Sequence, residues 1–460
     1  MTYSEIIHLQ RKYYAEGHTL SYAFRRQQLE KFLELVIAHE EAILDALQKD
    51  LHKSSFEGWG VEVGVIITET KYFIRHLKHW MKPKRVKTPL LHFRSRSYIK
   101  PVPHGNTLII APWNYPFLLA MRPLIGAIAA GNTAIIKPSE HAIHTAKLME
   151  AMINDHFDPA FIRVLLLDAS GSAALSAEKF DFIYYTGGAN IGRSIYTSAA
   201  KNLTPVVLEL GGKNPCIIDE TADIDITASR ITWGKFSNCG QTCVAPDYLL
   251  VHTSVKDKLV TAIIKNIESF FQNELINTED YGRIINDFHV ERISRLISNM
   301  KIIYGGDVLP NQRYISPTLI EIDDLQSPIM QEEIFGPVLP VLTYNDFSEI
   351  KQIIAHNPDP LVLYIFSKNK QHIGICSNEI GSGDMVVNEV ILHFGHLHLP
   401  IGGKGSSGFG KTQGKYTFNA FSHQKSLMHR SYFPDLTVRY PPYNSRKSGF
   451  IRWVFKYFFS

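Results

Sequence analysis

The sequence predicts an α/β protein organised around a doubly wound parallel sheet. Three observations carry that prediction. Short apolar runs end in small or polar residues: Leu108-Ile109-Ile110-Ala111 leads into Pro112-Trp113-Asn114-Tyr115-Pro116, Ala134-Ile135-Ile136 into Lys137-Pro138-Ser139-Glu140, and Phe182-Ile183-Tyr184-Tyr185 into Thr186-Gly187-Gly188. Stretches with helical apolar spacing, at about 118–130, 144–155 and 191–200, separate those runs, which is the alternation of βαβ units. The 460 residues also exceed what one core of ordinary size holds, so two or three domains are expected.

Taken in order, the chain opens with scaffold. Between residues 20 and 51, Phe24, Leu29, Phe32, Leu33, Val36, Ile43, Leu44 and Leu47 fall at helical spacing, and a second helical stretch from about 60 to 80 stops before Pro83. Residues 84–104 differ, with basic and apolar residues alternating through Leu90, Leu91, Phe93, Tyr98 and Ile99, as suits a protruding hairpin or edge strand at a subunit contact. The βαβ region follows, and in such sheets ligands bind beyond the carboxyl ends of the strands, where its polar residues lie. A second α/β region is expected to begin near Pro205, with strands at 206–209, 248–252, 339–344, 361–366 and 385–388 and helices at 256–271, 289–300 and 347–356.

Composition narrows the class. With 45% hydrophobic and 20% charged residues the chain reads as a soluble globular protein, and a net charge of +4 spread along its length gives no argument for nucleic acid. Four cysteines (Cys216, Cys239, Cys243, Cys376) in so long a chain point to a reducing compartment rather than a disulfide framework. The N-terminus lacks a basic region followed by an apolar one, and no run reaches the roughly 20 apolar residues of a membrane span, so a cytoplasmic protein is expected.

Cys243 closes the small, polar run Phe236-Ser237-Asn238-Cys239-Gly240-Gln241-Thr242, with no partner at metal-ligand spacing. A thiolate attacks carbonyl carbon far better than a thiol, and a pocket of backbone N–H groups would lower its pKa and hold a developing oxyanion. A buried, inert cysteine is the competing reading. Glu209, ahead of Gly211-Gly212-Lys213, is a carboxylate at a strand end with room to swing toward a water, or else a solvated turn. Gly187-Gly188-Ala189-Asn190-Ile191-Gly192 joins a strand to a helix and offers amides to a pyrophosphate, or simply turns the chain.

Other patterns carry less. Gly403-Lys404-Gly405-Ser406-Ser407-Gly408 matches G-x-G-x-x-G but lacks a clear strand before it and a helix after it, so it reads as a flexible loop. His393, His396 and His398 have no cysteine or acidic partner clustered with them, and Cys239 with Cys243 lacks a second pair, so no metal site is expected.

Together the motifs resemble the NAD(P)-dependent aldehyde dehydrogenases. Six appear in order: 112–116, 137–140, 186–188, 209–213, 240–243 and Glu332-Glu333-Ile334-Phe335-Gly336-Pro337. The run Cys243-Val244-Ala245-Pro246-Asp247-Tyr248, with Val387-Asn388-Glu389-Val390 and Leu392-His393-Phe394, is similar to the class 3 branch, which acts on fatty and aromatic aldehydes.

The resemblance implies a Rossmann-like cofactor domain (1–83 and 105–208), an α/β catalytic domain (209–395), a small oligomerisation β-element (84–104 and 396–446) and an aromatic, basic tail (447–460). It implies that Cys243 attacks the aldehyde, that the Asn114 amide and the Cys243 N–H hold the oxyanion, and that Glu209 activates the water that releases the acid. Lys137 and Glu140 would hold the adenosine ribose, Gly187 and Gly188 the pyrophosphate, and Glu333 and Phe335 the nicotinamide ribose. Glu140 should repel a 2′-phosphate, so NAD is expected ahead of NADP. The family usually carries Ser in place of Gly188, which removes a hydroxyl from the phosphate site.

A homodimer is expected by the same resemblance, with 84–104 and the C-terminal segment as its contact. The tail, Phe450-Ile451-Arg452-Trp453-Val454-Phe455-Lys456-Tyr457-Phe458-Phe459, suits either a membrane interface or a partner subunit. Two other functions compete with aldehyde oxidation: a cysteine-dependent ester or thioester hydrolase without a redox step, and a non-catalytic protein that keeps the fold.

Overall fold

The computed structural model describes residues 2–89, 92–271 and 275–458. Leu90, Leu91 and the Phe459 that ends the aromatic tail lie outside the described residues.

Helices come first. Thr2 and Glu5 cap Tyr3–Ala15 reciprocally, and Ser21 caps Tyr22–Ala38, each side chain satisfying an N–H that the first turn leaves open. The stretch read as helical over 20–51 is two helices, Tyr22–Ala38 and Glu40–Leu51, parted at His39. The next begins with a π-helical turn, Trp59–Val63, and continues as Gly64–Trp80.

The first strands are β1 (Lys84–Val86), β2 (Ser95–Pro103), β3 (Asn106–Ile110), β4 (Thr133–Lys137), β5 (Ile162–Val164), β6 (Phe182–Gly187) and β7 (Val206–Leu210). After them come β8 (Pro215–Ile218), β9 (Tyr248–His252), β10 (Lys301–Tyr304), β11 (Val308–Leu309), β12 (Tyr314–Ile315) and β13 (Thr318–Glu321). The last are β14 (Val338–Tyr344), β15 (Val362–Phe366), β16 (Asp384–Val387), β17 (Gly408–Phe409) and β18 (Ser422–Arg430).

Two sheets carry the molecule. The first has the order β17-β7-β6-β3-β4-β5, parallel apart from β17. Both faces of its central strands are buried, as the unbroken apolar runs of β3 and β4 require. The second has the order β10-β13-β14-β9-β8-β15-β16, parallel apart from β10. A third, antiparallel sheet, β1-β2-β18, joins the 84–104 hairpin to the C-terminal region.

Two expectations need correction. Residues 206–210 do not open the second region: β7 pairs with β6, Glu209 opposite Thr186, and Leu208 and Leu210 pack on Ile110 and Tyr185 in the first core. The second sheet receives β8 instead, four residues beginning with Pro and too short to stand out by periodicity. The Gly403–Gly408 loop is not slack, because Ser407 Oγ accepts from Lys404 N at 3.0 Å and β17 pairs with β7. A Cβ at Gly408 would lie 2.0 Å from the Leu208 carbonyl oxygen, so its glycines serve packing.

Candidate active site

Cys243 follows a turn that few sequences accept. Asn238 and Cys239 are both left-handed, at φ of 50° and 53°, and a Cβ at Gly240 would stand 2.3 Å from the Gly336 carbonyl oxygen. Gln241 secures the turn: its Nε2 donates to the carbonyls of Asn238 and Arg283, and its Oε1 accepts from Ile285 N. The Asn214 amide donates to the carbonyls of Cys243 (2.7 Å) and Ala245 (3.0 Å). Asn114 is buried, and its Nδ2 donates to the Gln241 carbonyl at 3.0 Å. A primary amide has two hydrogens, so one remains beyond that bond.

The electrostatics differ from the expected depressed thiol. Burial, reinforced by the charges of Glu333 and Glu209, pushes the Cys243 thiol up to about 12, against the pull of the Cys243 and Val244 N–H groups. At neutral pH the sulfur therefore carries its proton and needs a base. Two stand near. Burial raises Glu209 to about 7, with the Thr412 hydroxyl, donating at 3.0 Å, drawing it the other way. Burial raises Glu333 to about 8, reinforced by Asp247 and opposed by the Gly212 N–H. The paired glycines after Glu209 make room for Glu333 and for the neighbouring chain. A Cβ at Gly211 would meet Glu333 Oε2 at 1.9 Å, and one at Gly212 the Leu361 nitrogen at 2.8 Å.

At the ends of β4 and β6 the chain offers a cradle for a dinucleotide. Gly188 precedes the helix Ala189–Lys201, whose first turn has no side-chain cap, so its N–H groups are open to an anion. A Cβ at Gly187 would meet the Tyr185 hydroxyl at 2.4 Å, whereas one at Gly188 would meet nothing within 4 Å. Lys137, at the end of β4, pairs with Glu140; burial works against the Glu140 charge, but that pairing holds its carboxyl below the usual range. Phe335 adopts a left-handed backbone, φ 49°, and its ring meets Trp113 edge-on at 5.2 Å. Arg292 donates to the carbonyls of Glu333 and Ile334 and fixes that loop. Residues of these types in this place fit a dinucleotide: uncapped amides for the diphosphate, a carboxylate for a ribose, an aromatic wall for the reacting ring.

Residues 3–427 match the family described as the aldehyde dehydrogenase family. The chain belongs to that family. It is 44% identical over 440 residues to the 4,4′-diaponeurosporen-aldehyde dehydrogenase of Staphylococcus aureus, covering 95% of this chain and 96% of the relative. Aldehyde dehydrogenase family 3 member A2 of Pongo abelii is 41% identical over 439 residues, 95% of this chain and 90% of the relative. The structure titled as the substrate-bound state of Staphylococcus aureus AldH superposes with a TM-score of 0.97 at 42% identity, covering 99% of this chain and all of that one. The relatives agree with the class 3 resemblance, and the activity is oxidation of an aldehyde to its acid.

In this aldehyde dehydrogenase the Cys243 side opens on an apolar cavity of about 290 Å³. Val61, Val65, Leu118, Leu119, Trp233, Ile391, Leu392 and Phe394 supply most of its wall. Arg122 holds one side, paired with Glu69 at 2.8 Å and set over the Phe394 ring at 4.7 Å. The structure gathers Cys243, Glu209 and Glu333 into one electrostatic cluster and brings Asn114 to the Cys243 loop. Lys137 and Glu140 meet each other, and Gly187 and Gly188 sit at the next strand end. The structure adds residues to which the sequence motifs gave no role: Asn214, Gln241, Arg292 and the cavity wall. Asn214 follows directly on the Gly-Gly-Lys motif and could have been suspected; the wall comes from four distant segments and had no local signal.

Proposed function

We propose that this aldehyde dehydrogenase acts on apolar aldehydes, medium- or long-chain, isoprenoid or aromatic, through Cys243 as nucleophile and Glu209 as the base of deacylation. The observation that carries the reading is that Cys243 lines an apolar cavity and shares one electrostatic cluster with two buried carboxyls, Glu209 and Glu333. Glu333 and Glu209 are the bases at hand for the thiol proton. The sulfur adds to the aldehyde carbon, and the Asn114 amide with the Cys243 N–H holds the oxyanion, each such donor being worth roughly 3–4 kcal/mol in the transition state. A bound NAD(P) supplies the hydride acceptor. The thioester left on Cys243 is released by water that Glu209 deprotonates.

Lys137 keeps Glu140 ionised, which favours a ribose hydroxyl over a 2′-phosphate, so NAD ranks before NADP. The name of the Staphylococcus aureus relative, 4,4′-diaponeurosporen-aldehyde dehydrogenase, accords with the apolar cavity. Rates over aldehydes of increasing chain length test the substrate class: kcat/KM is expected to rise with length, and a preference for small polar aldehydes would contradict it.

The homodimer through 84–104 and the C-terminal region, and a cytoplasmic location, belong to the same reading. Among the described residues no helix is long and apolar enough to cross a membrane. The tail forms a helix, Ser445–Phe458, that exposes Phe450, Trp453, Phe455 and Tyr457 among Arg446, Arg452 and Lys456. It suits peripheral contact with a bilayer surface. Flotation with liposomes is expected to fall on removal of residues 447–460; unchanged flotation would end that part of the reading.

A further inference from the structure

We propose that Lys53 is a positioning residue for the oxyanion donor Asn114, acting as one half of a buried ion pair that grips the loop before the helix Pro116–Ala130. The inference rests on the assignment of Asn114 given above and extends it to side chains that do not touch the substrate.

Lys53 follows the helix Glu40–Leu51 in a short turn, yet its ammonium group is wholly buried. Its Nζ donates to Glu62 Oε1 at 2.6 Å and to the Asn114 carbonyl at 3.3 Å, and stands 4.2 Å from the centre of the Tyr115 ring. Three directions suit a tetrahedral ammonium, where a planar guanidinium would address one plane. Glu62 lies in the π-helical turn Trp59–Val63, and its other oxygen accepts from Phe117 N and Leu118 N, both at 3.0 Å. The pair thus holds Asn114, Tyr115, Phe117 and Leu118 in succession. From the opposite side Asn238 Nδ2 donates to the same Asn114 carbonyl at 2.8 Å, and the Tyr115 hydroxyl bonds Thr242 Oγ1 at 2.8 Å.

A wholly buried charged pair is an expensive way to cap a helix, because desolvation rivals the attraction gained. An Asn or Ser before Pro116 would satisfy the same N–H groups more cheaply. What the lysine adds is a further hydrogen bond, to the backbone carbonyl of the residue whose side chain reaches the Cys243 loop at the Gln241 carbonyl. Glu57, another carboxyl nearby, is pushed up by burial, with Lys53 opposing and Glu62 reinforcing, while the 2.6 Å contact makes Glu62 the partner of the lysine.

Lys53→Met alone strands a buried carboxylate, so the informative variant is Lys53→Met with Glu62→Gln, nearly isosteric, in which the Gln oxygen still accepts from Phe117 and Leu118. The full chain is assayed two ways: NADH formation from an aldehyde, and hydrolysis of 4-nitrophenyl acetate, which needs no cofactor but forms the same kind of oxyanion. The double variant is expected to lose at least about 10-fold in kcat in both assays, with KM for NAD within about two-fold and little change in Tm. In an Asn114→Ala background it should lose almost nothing more, because the pair acts through that side chain. Equal losses in both backgrounds, or no loss, would overturn the proposal. No effect of Asn114→Ala itself would refute the oxyanion assignment, a separate failure. Should the double variant not fold, Lys53→Arg, which keeps the charge against Glu62 but not the geometry, is read by the same comparison.

Discussion

The carboxyl proposed as the base of deacylation, Glu209, is buried, and burial sets its ionisation. Its carboxyl sits at about 7 against an ordinary 4.5. Only the ionised form takes a proton, so deacylation should rise with pH through about 7. Stability runs the other way. A carboxyl with a raised folded pKa contributes fully below about 4.5, and that contribution is lost as pH climbs through about 7. Glu209→Gln cannot ionise, so its Tm relative to wild type is expected to increase from pH 5 to pH 8.5 while turnover collapses. Melting curves at the two pH values check this, and a Tm gap independent of pH would contradict it. The residues proposed for this chemistry could be named from the sequence, since Cys243, Glu209 and Asn114 stand in short motifs. Their ionisation was not: the thiol was expected below its ordinary value and lies above it, because burial outweighs the two N–H groups aimed at the sulfur.

Among elements, the helix Ala189–Lys201 exposes its first turn most plainly. Gly188 has φ −68° and ψ 147°, an N-cap conformation open to any residue, and no atom lies within 4 Å of a Cβ there. Gly188→Ser should cap the helix, adding a few tenths of a kcal/mol, and give the cofactor diphosphate a hydroxyl. Calorimetry on the variant should show tighter NAD binding; weaker binding would contradict the placement of the phosphates. The βαβ strands were legible because each apolar run is bounded by a motif. The pairing of β7 with β6 was not, since an apolar run does not name its neighbour. Short strands such as β5 and β8, at three and four residues, are too brief for periodicity to register.

Across the whole molecule, the site is a meeting of segments far apart in sequence. Connections of the second sheet bring Cys243 and Glu333 to Glu209 on β7 of the first, which lies between β17 and β6. A buried network from residues 53–62 sets the loop between β3 and β4 that carries Asn114. The strand β18 returns from the C-terminal region to pair with β2 over nine residues, so one sheet joins the early hairpin to the chain's last third. Motif order revealed the family, but only folding shows that the glycines after Glu209 are shaped around Glu333. The proposed reaction turns on a thioester on Cys243 that Glu209 must open. It is tested most directly by mixing Glu209→Gln with NAD and an apolar aldehyde, following NADH in the first turnover and weighing the quenched protein. About one NADH per chain is expected, then a stall, with the acyl group on the peptide that contains Cys243. Sustained turnover at the wild-type rate, or a burst with no mass added to that peptide, would contradict it.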